Sequence, residues 1–155
     1  MTDKLIADYS NSNLFVYNGL SNEKDYAVKM LNKNKNLRIV DATMGMEVLY
    51  SDPELWLNPS SLLMMAQNVR LGLKEYITST YLTKEVDEAY NKLKIDLSEL
   101  DADYRLTVEN TDNKVIVVSD SALKFLEKFG LKVICLDSDA TDKDIAEVNT
   151  MAKAG

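Results

Sequence analysis

Histidine is absent from all 155 residues, which removes the commonest general base and the commonest transition-metal ligand. A Ser-His-Asp triad or a Cys-His dyad is excluded on the same ground. Cysteine occurs once, at Cys135, so no intrachain disulfide can form. It lies in the apolar run Val133-Ile134-Cys135-Leu136, a setting for a buried structural thiol rather than a reactive one. No strand is followed by a Gly-rich phosphate loop, so nucleotide binding has no support. Bases are the minority, 18 against 25 acids, for a net charge of −7. That balance disfavours nucleic acid, whose phosphates need clustered Lys and Arg. No apolar run reaches the ~20 residues needed to span a bilayer. The chain opens Met1-Thr2-Asp3-Lys4 without a signal peptide, so it reads as a soluble chain, either cytoplasmic or starting downstream of an export signal.

Apolar residues make up 46% and charged residues 28%, the balance of a globular α/β chain. Thr2 is a candidate N-cap for a short helix to Tyr9. Leu14–Tyr17 reads as a strand, 22–33 as a helix and Leu37–Val40 as a second strand, a βαβ pattern with a parallel sheet. Asn58-Pro59 marks a helix start, followed by the stripe Leu62, Ala66, Val69 and Leu73. Thr78-Ser79-Thr80 is a break. A second stripe, Val86, Tyr90, Leu93, Leu97 and Leu100, predicts a spine helix over 83–108, roughly 40 Å long, with that stripe buried. Val115–Val118 is a third strand, apolar enough to be covered on both faces. Residues 121–129 form a helix with Gly130 at its C-terminal cap. Val133–Leu136 is a fourth strand, and Thr141 with Asp144 opens a last helix with a capping box. The expected architecture is α/β: two small βαβ-type units joined by a long helical spine, with portions 1–57, 58–110 and 111–155.

Asp137 to Asp142 has the density of acids of a calcium loop. It lacks Gly at the sixth position, and the twelfth is Val148 rather than an acid. A capped, charged loop accounts for it. Asp87, Glu88, Asp96, Glu99, Asp101 and Asp103 lie mostly opposite the apolar stripe and read as a solvated helix face. Two other acids stand out by place. Glu54 lies in Ser51-Asp52-Pro53-Glu54-Leu55-Trp56-Leu57-Asn58-Pro59, and Asp120 follows the third strand, where ligands of open α/β sheets collect. Each also suits a helix N-terminus, where acids are favoured.

Three segments, in order, resemble a family. Leu14-Phe15-Val16-Tyr17-Asn18-Gly19-Leu20 is similar to a strand end ADLVIYNGLG. Asp52-Pro53-Glu54-Leu55-Trp56-Leu57-Asn58-Pro59 is similar to DPHVWLDP, which opens a long helix between lobes. Val117-Val118-Ser119-Asp120, then Phe129-Gly130-Leu131-Lys132-Val133, resembles tfHDAFgYfakrYGL. These are motifs of the zinc/manganese-type substrate-binding proteins of ABC importers. The resemblance implies the middle of a two-lobed periplasmic-binding-type fold, binding rather than catalysis, an ABC permease as partner, and an extracytoplasmic, lipoprotein-anchored parent. It places the metal site at Glu54, Ser119 and Asp120. Both family histidines are replaced there, by Glu54 and by Ser119. The family's other two ligands fall outside the chain. An oxygen-only set turns preference from zinc towards harder divalent cations, held weakly.

Two further readings stand beside this one. The chain is a structural or engineered fragment that folds and self-associates as a homodimer without a retained ligand site. Alternatively Asp120 is the acceptor of a flavodoxin- or receiver-type domain, although no acidic pair at an early strand end accompanies it.

Overall fold

The computed structural model describes residues 1–47 and 53–154; Ser51 and Asp52 of the second motif lie outside the described residues. The chain divides into two compact units. One comprises 1–47 and 62–96, the other the described residues of 48–61 and 97–155.

In the first unit, Thr2 accepts the Leu5 N–H at 3.4 Å and starts α1 (Asp3–Ser10). β1 (Leu14–Tyr17) and β2 (Arg38–Asp41) pair in parallel, Leu14 opposite Arg38 and Tyr17 opposite Asp41. The crossover between them is α2 (Ser21–Lys33). Ile6, Met30 and Leu37 form the core here, with Phe15, Tyr26 and Leu31 packed against them. α4 (Pro59–Tyr76) enters this unit at Leu62. It passes so close to β2 that a Cβ on Gly72 would run into the Val40 side chain. Arg38 seals the contact, donating to the Tyr76 carbonyl at 3.1 Å and lying 4.9 Å from its ring centre. α5 (Thr80–Glu109) follows after a short break. Its Asp87 takes Arg70 and Lys74 of α4, each at 2.6 Å.

In the second unit, Pro53 leads into α3 (Glu54–Leu57). Asn58 then caps α4, accepting the Ser60 N–H at 3.1 Å. β3 (Val115–Val118) and β4 (Lys132–Cys135) are again parallel, Val115 opposite Lys132. The crossover is a nine-residue 3-10 helix, Ser121–Phe129, closed by Gly130 at φ 96°, a left-handed position suited to glycine. Val108, Phe125 and Phe129 form this core, with Tyr104, Leu123, Leu126 and Leu131 around them. Thr141 and Asp144 exchange the hydrogen bonds of a capping box at the head of α6 (Asp142–Ala154).

Several expectations are corrected. β2 begins one residue later than the apolar run, and β4 one residue earlier, because pairing register rather than hydropathy sets their ends. The second crossover is 3-10 rather than α-helical. Its apolar residues recur three apart (Ala122 and Phe125; Leu123, Leu126 and Phe129), the period of that helix. Val117 is 46% exposed, so β3 is not covered on both faces. On α5 only Leu97 of the expected stripe is fully buried. Val86, Tyr90 and Leu93 are half-buried because they line an open groove of about 410 Å³ with α4 and β1. Leu100 is 40% exposed. The inward line of the second unit runs Leu97, Asp101, Tyr104, Val108, and Asp101 occupies the step nearest Leu100. Asp87 and Asp101, read as solvated, are both ion-paired.

Candidate metal centre

The corner between α3 and α4 builds the candidate site. Glu54 is the first residue of α3 and is buried, at 6% exposure. Its carbonyl accepts the Asn58 N–H at 3.0 Å. Leu55, buried beside it, anchors the turn, and α3 packs against the 3-10 helix. That helix starts at Asp120, whose Oδ1 accepts the Ala122 N–H at 2.7 Å. Ser119, the residue after β3, is exposed, as is Asp120. All three predicted site residues therefore fall in one unit, on elements that pack together, with Asp120 also serving as a helix cap.

The donor chemistry is oxygen. Among the described residues, no three His, Cys, Asp or Glu side chains gather closely enough to hold a metal ion. The single thiol, Cys135, is buried and donates to Asp137 Oδ2 at 3.0 Å. Burial first, then the Asp137 carboxylate, pushes that thiol above its ordinary range. A thiol kept protonated is a poor zinc ligand. The Cys135 bond, followed by the Asp139 N–H, holds Asp137 below the usual carboxylate range.

A residue that sequence reasoning missed is Lys128, near the end of the 3-10 helix. Its ammonium donates to Asn58 Oδ1 at 3.1 Å, Ser60 Oγ at 2.9 Å and Asp101 Oδ1 at 2.7 Å. It also lies 4.6 Å from the Phe129 ring centre. These partners are 27 to 70 residues away in sequence, beyond any local pattern. Asn58 was legible as a cap, but its second role as acceptor for a lysine was not.

At the matching strand ends of the first unit, Asp41 Oδ1 accepts from the Thr43 N–H at 2.9 Å. Glu23 takes the Asn18 N–H at 2.8 Å. The Tyr17 hydroxyl reaches Asp41 Oδ2 at 3.4 Å, and burial, then the Asp41 charge, raises its pKa. These groups close the turn over Gly19, where a Cβ would strike Asp41 and Thr43. They are satisfied by one another.

No curated protein matches the chain by sequence. Solved structures do match by fold. A ZnuA deletion mutant with zinc bound superposes with a TM-score of 0.73 at 18% identity, covering 99% of this chain and 62% of that one. The Zn(II)-bound ZnuA-like domain of Streptococcus pneumoniae AdcA gives 0.72 at 21%, covering 99% and 60%. The metal-dependent lipoprotein YcdH from Bacillus subtilis gives 0.75 at 22%, covering 99% and 61%. The chain thus spans less than two thirds of the length of these structures while sharing their fold. The family model for ZnuA, the zinc-uptake complex component A periplasmic, matches residues 1–155, and the chain belongs to that family.

Proposed function

We propose that this chain is a portion or degenerate relative of an ABC importer's metal substrate-binding protein, that it acts by binding rather than catalysis, and that its own contribution to a cation site is Glu54 and Asp120 with Ser119. In this reading 1–57, 58–110 and 111–155 are the first-lobe, spine and second-lobe portions of the sequence, with the described residues of 48–57 folding into the second unit. The parent is an extracytoplasmic lipoprotein that delivers its cation to a permease. The observation that carries the reading is the burial of Glu54 on a helix packed against the element that Asp120 caps. This carboxylate stands where the family motif has its histidine.

The donor set selects the cation. With oxygen ligands, no imidazole and a protonated, buried thiol, the chain binds zinc weakly and favours harder divalent ions such as manganese or calcium. Titration calorimetry is expected to find no tight one-to-one zinc site, and weak manganese binding that Glu54→Ala/Asp120→Ala abolishes. A tight zinc site, or manganese binding untouched in the double variant, overturns the assignment.

A second reading is favoured by one observation, the exposed apolar residues on both two-stranded sheets, Val16 at 40% and Val117 at 46%. In it the chain self-associates, each copy covering the other's sheets over an interface of more than ~2,000 Å². Light scattering then gives a homodimer at micromolar concentration, and a stable monomer rules this reading out.

A further inference from the structure

We propose that the outer edge of β4 is a docking site for an extended basic peptide, which adds there as a further strand and sets its cations among the carboxylates of α6 and of the loop before it. Docking at this edge goes beyond the cation reading and does not depend on it.

Among the described residues, β4 pairs on one side only, with β3. The Lys132 N–H donates to the Lys114 carbonyl at 2.6 Å, and the Leu136 N–H to the Val118 carbonyl at 2.8 Å. Backbone groups alternate sides along a strand, so the N–H and C=O of Val133 and Cys135 point to the other edge. Among the described residues, no acceptor meets the Val133 or the Cys135 N–H. Both residues are nevertheless buried, at 7% and 8% exposure. Buried backbone donors are nearly always paired, so these two mark an edge that lacks its strand. They open into a cavity of about 330 Å³, walled by β4, by Ser121 and Lys124 of the 3-10 helix, and by Asp144 and Glu147 of α6. Four carboxylates line it, Asp137, Asp139, Asp144 and Glu147, against the ammoniums of Lys124 and Lys132. Lys132 is already paired with Glu147. The Cys135 thiol holds Asp137, and the Thr141 side chain holds Asp144, below the usual carboxylate range, so both are charged at neutral pH. The surplus is negative, which selects a cationic partner. A second copy would bring the same carboxylates to the edge, and like charges oppose that pairing. An extended peptide meets the free backbone groups with its own main chain, and its side chains supply the charge. The four residues of β4 span about 13 Å at about 3.3 Å each, which accommodates about as many peptide residues. A cation at every second peptide position then falls on one face.

The probe is a fluorescein-labelled hexapeptide, capped at both ends, in which lysine and valine alternate. Anisotropy with the full chain at low salt should show saturable binding, and the same peptide with glutamate for lysine should not bind. Two further peptides carry N-methyl groups, one on every lysine amide and one on every valine amide. One of these should lose binding, because its missing donors face β4, and the other should keep it. Asp139→Asn/Glu147→Gln should weaken binding about tenfold, and added salt should narrow the difference from wild type. Val133→Pro removes an outward N–H while leaving the bonds to β3 in place, and should weaken binding as well. By NMR, amide exchange at Val133 and Cys135 should slow when the peptide is bound. Ile134, whose N–H faces β3, should not change.

If Val133→Pro fails to fold by circular dichroism, the two methylated peptides carry the test on the wild-type chain. Binding that both of them retain overturns the proposal, since charge alone then holds the peptide. Protection that appears on binding at amides other than Val133 and Cys135 overturns it too, as does absence of binding by the lysine peptide. The same holds if those two amides are protected in the free chain and the protection grows with chain concentration, because a second copy then occupies the edge.

Discussion

The two βαβ units reach similar geometries with unequal lengths of chain. Each has two four-residue parallel strands, and each second strand opens with a cation, Arg38 or Lys132. Their crossovers differ. The 13-residue α2 covers roughly 20 Å at 1.5 Å per residue. The nine-residue 3-10 helix covers roughly 18 Å at 2.0 Å per residue. The shorter crossover recovers nearly the same span by winding more tightly. Runs of 3-10 helix this long are uncommon because their hydrogen bonds are poorer. Phe125 and Phe129, packed with Tyr104 at ring distances of 6.1 and 5.6 Å, offset that weakness. In the first unit the crossover buries the aliphatic Ala27 and Met30, and the aromatics Phe15 and Tyr26 pack around that core.

The most severe way to break the comparison is Phe125→Ala. It should cost about 3–5 kcal/mol, melting the 3-10 helix. Hydrogen exchange is expected to show protection lost from 115–135 while 14–41 stays protected. Equal loss in both would mean that the units do not unfold separately. Gly72→Ala tests the first unit. The new methyl meets Val40 rather than open space, which should destabilise by about 1–3 kcal/mol. Val40→Ala in the same chain should recover part of that loss, measured by chemical denaturation. No rescue would place the strain elsewhere.

The smallest effect comes from acid. In the first unit Asp87 is held below its ordinary value by hydrogen bonds from Lys74 and then Arg70. In the second, Asp144 is lowered by the Thr141 side chain and then its backbone. A depressed carboxylate stabilises the fold above its unfolded value, ~3.9, and that contribution disappears as pH falls through the lower folded value. Salt separates the two. An ion pair is screened, so high salt should raise the Asp87 value towards normal and leave Asp144 nearly unmoved in an NMR titration. A shift of both would show that Asp144 is held by charge rather than by its cap.

What the sequence made legible was local. Thr2, Asn58 and the Thr141–Asp144 pair each act on backbone groups within three residues, so their chemistry can be read along the chain. Val115–Val118 and Leu14–Tyr17 were likewise evident as strands. What was hidden depends on long-range partners. Leu100 fits the apolar spacing, but Asp101 takes the inward step because Lys128 stands there to meet it. The site followed the same division. Its elements could be placed by motif, whereas the bonds that hold them arise only on folding.

α5 is one uninterrupted helix, yet its residues to Asp96 belong to one unit and those from Leu97 to the other. Domain boundaries usually fall in exposed linkers that absorb insertions. Here the boundary has a phase. One residue added between Asp96 and Leu97 turns the helical residues beyond it by about 100° and lifts them about 1.5 Å. Unlike an exposed linker, a boundary inside a helix cannot absorb a single inserted residue without changing the phase of the helical residues that follow.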